Sequence, residues 1–172
     1  MSTDHATTVL AAPATRFEPP ELRAGDRGRL VVTLDIPPDV HIQSHDPSEP
    51  FLIPTTLHLD PTPHIAFGPV AYPTPHTQRF DWTPVQLDVH QGLVEIVVPI
   101  TIAPTFDGAA ITITGHLRYQ ACTDSLCLPP AQRQLDLALN VEPRSPRSHP
   151  AEVDRETTDR SHAGSTASSR DD

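Results

Sequence analysis

Apolar and polar residues alternate with a period of two in several short runs of this chain, and no stretch keeps a helical period for more than two turns. The clearest runs are Leu30–Ile36, Thr55–Leu59, Leu93–Ile102, Ala110–Tyr119 and Gln134–Val141, each predicted as a strand. Shorter runs at His41–Ser44, His64–Val70 and Val85–Val89 predict three more. Breaks such as Pro37-Pro38-Asp39, Asp60-Pro61-Thr62-Pro63 and Phe106-Asp107-Gly108 separate them, in a chain with 21 Pro. Seven or eight short strands rich in Val, Ile, Thr and Leu predict an all-β fold, an immunoglobulin-like antiparallel β-sandwich. The inter-sheet cysteine pair of antibody domains is missing, because Cys122 and Cys127 lie too close in sequence to bridge two sheets.

The pattern fades at both ends. From Pro143 to Asp172 the only sizeable aliphatic residue is Val153. Such a segment cannot bury enough apolar surface to offset its ordering entropy, which predicts a disordered polar tail over 143–172. Residues 1–15 are expected to be flexible as well, leaving 16–142 as one folded domain, long enough to hold a core. No run approaches the roughly 18 apolar residues of a membrane helix, so no membrane span is expected. Met1–His5 lacks a positively charged start and Val9–Ala14 is short and broken by proline, so no export signal is read in the sequence as given.

Charge narrows the partners. The net charge is −10, and 16–142 carries 7 Arg against 15 acidic residues, which argues against nucleic acid, since phosphate binding needs a concentrated basic face. No cofactor is expected: a phosphate-cradling glycine loop is absent from a chain with only 7 Gly. The 10 His form no metal-ligand pattern, because the four-residue spacing of His41 and His45 does not align two side chains on a strand. Ser44-His45-Asp46 are adjacent in sequence, whereas a nucleophilic triad draws its members from separate elements.

Chemistry concentrates in Tyr119-Gln120-Ala121-Cys122-Thr123-Asp124-Ser125-Leu126-Cys127-Leu128-Pro129-Pro130, which holds the only 2 Cys. Any intramolecular disulfide must join them and close a loop of about six residues, which in the chain-entropy model contributes only about 2 kcal/mol. Such a bond can open and close without unfolding a domain. The residues leave two readings open, a redox couple or a structural disulfide that pins a loop. Asp124 sits inside the loop, and a neighbouring carboxylate disfavours a thiolate, so the pair is expected to be attacked in its oxidised form by an activated thiol on a partner.

The flanks carry a resemblance. Tyr119-Gln120-Ala121-Cys122 and Cys127-Leu128-Pro129-Pro130 resemble the redox motif of the N-terminal periplasmic domain of the thiol:disulfide interchange protein DsbD. His41–His45 with Phe51–Leu57, Ala71-Tyr72-Pro73 and Val94–Ile100 are similar to further parts of that domain. The resemblance implies a periplasmic or otherwise extracytoplasmic immunoglobulin-like module that accepts two electrons from a thioredoxin-like donor and passes them to disulfide-bearing client proteins. It implies that Cys127 forms the mixed disulfide, that Cys122 resolves it, and that Tyr119 and Asp124 line the site. Phe80 or Trp82 would supply the aromatic cap over the sulfurs. The spacing between the cysteines is one residue shorter than in the family's best-studied members. The sequence as given holds neither a membrane electron channel nor a thioredoxin-like domain, so separate redox partners are expected.

Overall fold

The computed structural model describes residues 9–144, and within that span the chain is built of strands. In order these are β1 (Ala14–Glu18), β2 (Leu22–Arg23), β3 (Arg27–Asp35), β4 (His41–Gln43), β5 (Thr56–Leu59) and β6 (Ile65–Phe67). They continue with β7 (His76–Gln78), β8 (Leu87–His90), β9 (Leu93–Ile102), β10 (Ala110–Tyr119), β11 (Ala121–Cys122) and β12 (Ala131–Glu142). Three four-stranded sheets result, ordered β1-β3-β9-β6, β2-β12-β10-β5 and β11-β4-β8-β7. The first two face each other as a sandwich. The third is a small sheet that carries the cysteines.

Alternation explains the sandwich. In β9, Val94, Ile96, Val98, Ile100 and Ile102 are buried while their neighbours point outward, and in β10 Ile111, Ile113, Leu117 and Tyr119 do the same. Leu30, Val32 and Leu34 from β3 and Leu135, Leu139 and Val141 from β12 complete one continuous core. Each fully buried Leu or Ile contributes roughly 1.5–3 kcal/mol, so this cluster is the main source of stability. Gly115 is required where β5 pairs with β10: a Cβ there would collide with the backbone carbonyl of His58.

All the strong and weak runs read from the alternation are strands, and the immunoglobulin-like sandwich is the fold. Two differences are informative. β1, β2, β7 and β11 have no clear alternation because they are edge or two-residue segments, each held mainly by backbone bonds to one neighbour. The expected domain start at Arg16 falls inside β1, and order extends further back: Leu10 is buried in the main core, its N–H donates to the Tyr119 hydroxyl at 3.3 Å, and Arg133 donates to its carbonyl. Leu10, with Val9 packed against the same core, anchors the segment. The polar tail expected over 143–172 lies, from residue 145 onward, outside the described residues, as do residues 1–8. Among the described residues no helix is long and apolar enough to cross a membrane.

Candidate functional site

β10 ends at Tyr119, and one residue later the chain changes sheet. Gln120 makes the transition: its carbonyl accepts from Gln43 N (3.1 Å), its Oε1 from Ile53 N (3.0 Å), and its Nε2 donates to Leu128 O (3.3 Å). β11 then pairs with β4, Ala121 opposite Ile42 and Cys122 opposite His41. Beyond it the chain folds back sharply. Thr123 N donates to Leu126 O (2.7 Å) and Leu128 N to Ala121 O (2.8 Å), so Cys122 and Cys127 form the non-hydrogen-bonded pair between two backbone bonds. That is where antiparallel strands approach most closely, with a typical Cα separation of about 4.5 Å. The two Cα atoms here are 4.0 Å apart, and the sulfurs are joined in a disulfide.

The cysteines face each other across one tight hairpin, whose turn is tied by the Thr123 hydroxyl accepting from Leu126 N (3.3 Å). Pro129-Pro130 then leads the chain away to β12, where two missing backbone donors prevent the hairpin from extending.

Strand alternation divides the small sheet. Ile42 and Ala121 belong to the main core, whereas His41, Gln43 and Cys122 share the opposite face. A second apolar cluster lies in this region, formed by Leu52, Phe80, Leu87 and Val89 with Trp82 packed against it. Phe80 meets the His41 ring edge-on at 5.3 Å and Trp82 at 5.7 Å. The indole N–H of Trp82 donates to Thr123 O at 3.3 Å, which ties the aromatic segment to the cysteine hairpin. Cys122 is fully buried, while Cys127 is partly exposed. The apolar Leu126 stands out from the hairpin at 48 % exposure.

Gln43 is buried against the sulfurs. Its Nε2 lies 3.1 Å from Cys122 Sγ and 3.9 Å from Cys127 Sγ. A disulfide sulfur carries no proton, so the amide group that faces it attractively is the NH2. Gln43 Oε1 is then left without a partner, as is His41 Nδ1, the two buried side-chain polar atoms so placed among the described residues. His41 Nε2 is 3.0 Å from Gln91 Oε1, which can only accept, so Nε2 is the donor in that pair. Each unpaired buried group costs about 1–3 kcal/mol, a placement an apolar residue would have avoided.

The other side of β4 holds a cleft of about 310 Å³ that includes His45, Tyr72, Asp88 and His90. The His45 ring stacks on Tyr72 at 3.9 Å, and the Tyr72 hydroxyl accepts from Leu57 N at 2.9 Å. Burial pushes the Tyr72 pKa up; burial, helped by the nearby His76, pushes that of His90 down.

Of the residues expected at the site, Cys122 and Cys127 are bridged and Trp82 touches their hairpin. Phe80 is one contact further away, over His41. Asp124 is exposed in the turn. Tyr119 does not border the sulfurs: it is fully buried in the main core and hydrogen-bonded to Leu10, because the alternation that turns Cys122 outward turns Tyr119 and Ala121 inward. Gln43 and Gln120 were not singled out from the sequence. The available signal was a glutamine following Ile42 in a predicted strand, at a position whose side chain has to be buried.

A β-sandwich bearing a cross-strand disulfide in a surface hairpin, with one cysteine buried and the other partly exposed, has the form of a thiol–disulfide exchange domain. The chain belongs to the family of the N-terminal domain of the thiol:disulfide interchange protein DsbD, whose family model matches residues 6–139. Among solved structures it is similar to the reduced Neisseria meningitidis DsbD N-terminal domain, at 16% identity and a TM-score of 0.44, covering 77% of this chain and 86% of that one. It is also similar to the N-terminal periplasmic domain of ScsB from Proteus mirabilis, at 12% identity and a TM-score of 0.42, covering 70% of this chain and 42% of that one. No curated protein matches the chain.

Proposed function

We propose that this domain is an extracytoplasmic thiol–disulfide relay, reduced by a thioredoxin-like dithiol protein and oxidised in turn by disulfide-bearing client proteins. The observation that carries this reading is the unequal exposure of a bonded pair: Cys127 is partly exposed and Cys122 is fully buried, in a hairpin peripheral to the main core. An incoming thiolate therefore meets Cys127 first. It bonds to Cys127 Sγ, the Cys122–Cys127 bond breaks, and the electron pair leaves on Cys122 Sγ. The partner's second thiolate then attacks its own sulfur in the mixed disulfide and expels Cys127. The partner ends as a disulfide, and this domain, after taking two protons from water, as a dithiol. Running the same steps with a client disulfide returns the pair to its oxidised state.

Phe80 and Trp82 act in this reading as a partial cover, attached to the hairpin through Thr123 O. The cover keeps small oxidants and thiols away and is displaced by a docking protein.

The test is directional coupling to a thioredoxin-like protein whose single attacking cysteine carries a thionitrobenzoate leaving group. Cys122→Ser should couple through Cys127 and release the coloured anion, and Cys127→Ser should react far more slowly. The reverse order would overturn the role assignment. A wild-type couple with a potential below about −300 mV, resistant to a thioredoxin system, would mark the bond as structural.

A further inference from the structure

From the position of its amide we infer that Gln43 is the group that makes Cys122 the leaving sulfur. This rests on the relay reading above and adds to it the device that sets the direction of bond cleavage.

Gln43 is fixed before any chemistry starts. Its backbone N–H donates to Gln120 O (3.1 Å), its carbonyl accepts from the Thr55 hydroxyl (2.5 Å), and it pairs in register with Val89 of β8. The side chain is fully buried, so the N–H that points at Cys122 Sγ is not engaged by solvent. Its distances to the two sulfurs are unequal, 3.1 Å against 3.9 Å, and that difference gives the amide its directing power. When a partner thiolate bonds to Cys127, negative charge collects on the departing Cys122 Sγ, 3.1 Å from the donor. Attack at Cys122 instead would leave the charge on Cys127, which the same amide meets only at the longer distance of 3.9 Å. A donor held in place beforehand toward developing charge in a water-poor site stabilises it without reorganisation. The unpartnered Oε1 fits the same role, since the amide is oriented by what its nitrogen serves, at the expense of its oxygen.

The site also explains how a buried cysteine beside an acidic loop can leave as an anion. A thiol in apolar surroundings has its pKa raised from the usual value near 8.5, and Asp124 in the turn opposes a thiolate further. The groups that bear on Cys122 are His41, its register partner on β4, Asp124 in the turn, and the Gln43 amide. Among the described residues only the amide donates to its sulfur.

The experiment is reduction of the oxidised full chain by dithiothreitol at pH 7, comparing wild type with Gln43→Met, which keeps the length of the side chain and removes the donor. The second-order rate constant should fall about tenfold, as expected for loss of a hydrogen bond to a charged group. In a Cys127→Ser background the Cys122 thiolate, followed by its absorbance near 240 nm, should titrate about one unit higher when Gln43 is also Met. A packing role alone would leave that titration unmoved, because His41 and Asp124 are the same in both proteins. Rates within about twofold and coincident titrations would overturn the assignment. If Gln43→Met does not fold, Gln43→Glu serves: because the dithiothreitol thiolate fraction rises with pH for both proteins, the readout is the rate relative to wild type, which should fall as pH rises and the carboxyl ionises, and a ratio that stays constant with pH would be equally fatal. Dithiothreitol needs no docking partner, so failure of the relay reading with a thioredoxin-like protein and failure of the amide role give separate results.

Discussion

Reducing the Cys122–Cys127 bond acts on the unfolded chain far more than on the folded one. The bond closes a loop with a sequence separation of only 5, so its removal returns about 7 cal/mol/K of loop entropy to the denatured ensemble, or about 2 kcal/mol at 25 °C. On the folded side little else is lost. The hairpin keeps Thr123 N to Leu126 O and Leu128 N to Ala121 O, the Gln120 side chain still holds both its ends, and the main core contains neither cysteine. Reduced protein should therefore unfold cooperatively, about 2 kcal/mol less stable and with Tm lower by roughly 5–10 °C. Equilibrium urea unfolding of both redox forms, followed by far-ultraviolet circular dichroism and by fluorescence of Trp82, the only tryptophan, measures the difference. Trp82 reports on the hairpin and dichroism on the sandwich, so coincident curves show that both melt together. Loss of a cooperative transition on reduction, or a loss above about 4 kcal/mol, would refute the claim that the bond can cycle inside an intact fold.

Other expectations are more local. Leu10→Ala should destabilise by about 2–5 kcal/mol in chemical unfolding, because it empties a core position, whereas a loose N-terminal segment would leave stability unchanged. Gly115→Ala should cost roughly 2 kcal/mol or more and loosen β5, seen as faster amide exchange at Leu57 and Leu59, since its Cβ has no room beside His58. His90 is buried with its pKa held below the usual histidine value, so the unfolded chain takes up its proton first as pH falls. Its contribution to stability is constant above the unfolded value of about 6.5 and declines from there down to the folded pKa; His90→Gln should flatten that part of a stability-against-pH curve. Trp82→Ala should speed reaction of the oxidised pair with small thiols several-fold if the indole covers the hairpin; an unchanged rate would remove the cap role.

How much was legible in the sequence followed from how local each constraint is. The long strands showed themselves because half of each must face a core: Val94 to Ile102 and Ile111 to Tyr119 carry that requirement in their own spelling. The cysteine pair was equally plain, since two thiols five apart can bridge only with each other. Edge strands such as β1 and β7 were silent, because backbone bonds to a neighbour leave no trace in side-chain pattern. Tyr119, expected at the site from the resemblance, is in the main core, because a motif match does not say which face of a strand a side chain takes. Gln43 and Cys122 are 79 residues apart, and only the pairing of β4 with β11 puts the amide nitrogen against one sulfur rather than the other. The chain's own order of residues thus determined that it makes a β-sandwich with one closable sulfur pair. Which cysteine is partly exposed, which is buried, and what stands beside them were decided by sheet register, since contacts between strands distant in sequence depend on how backbones align in space.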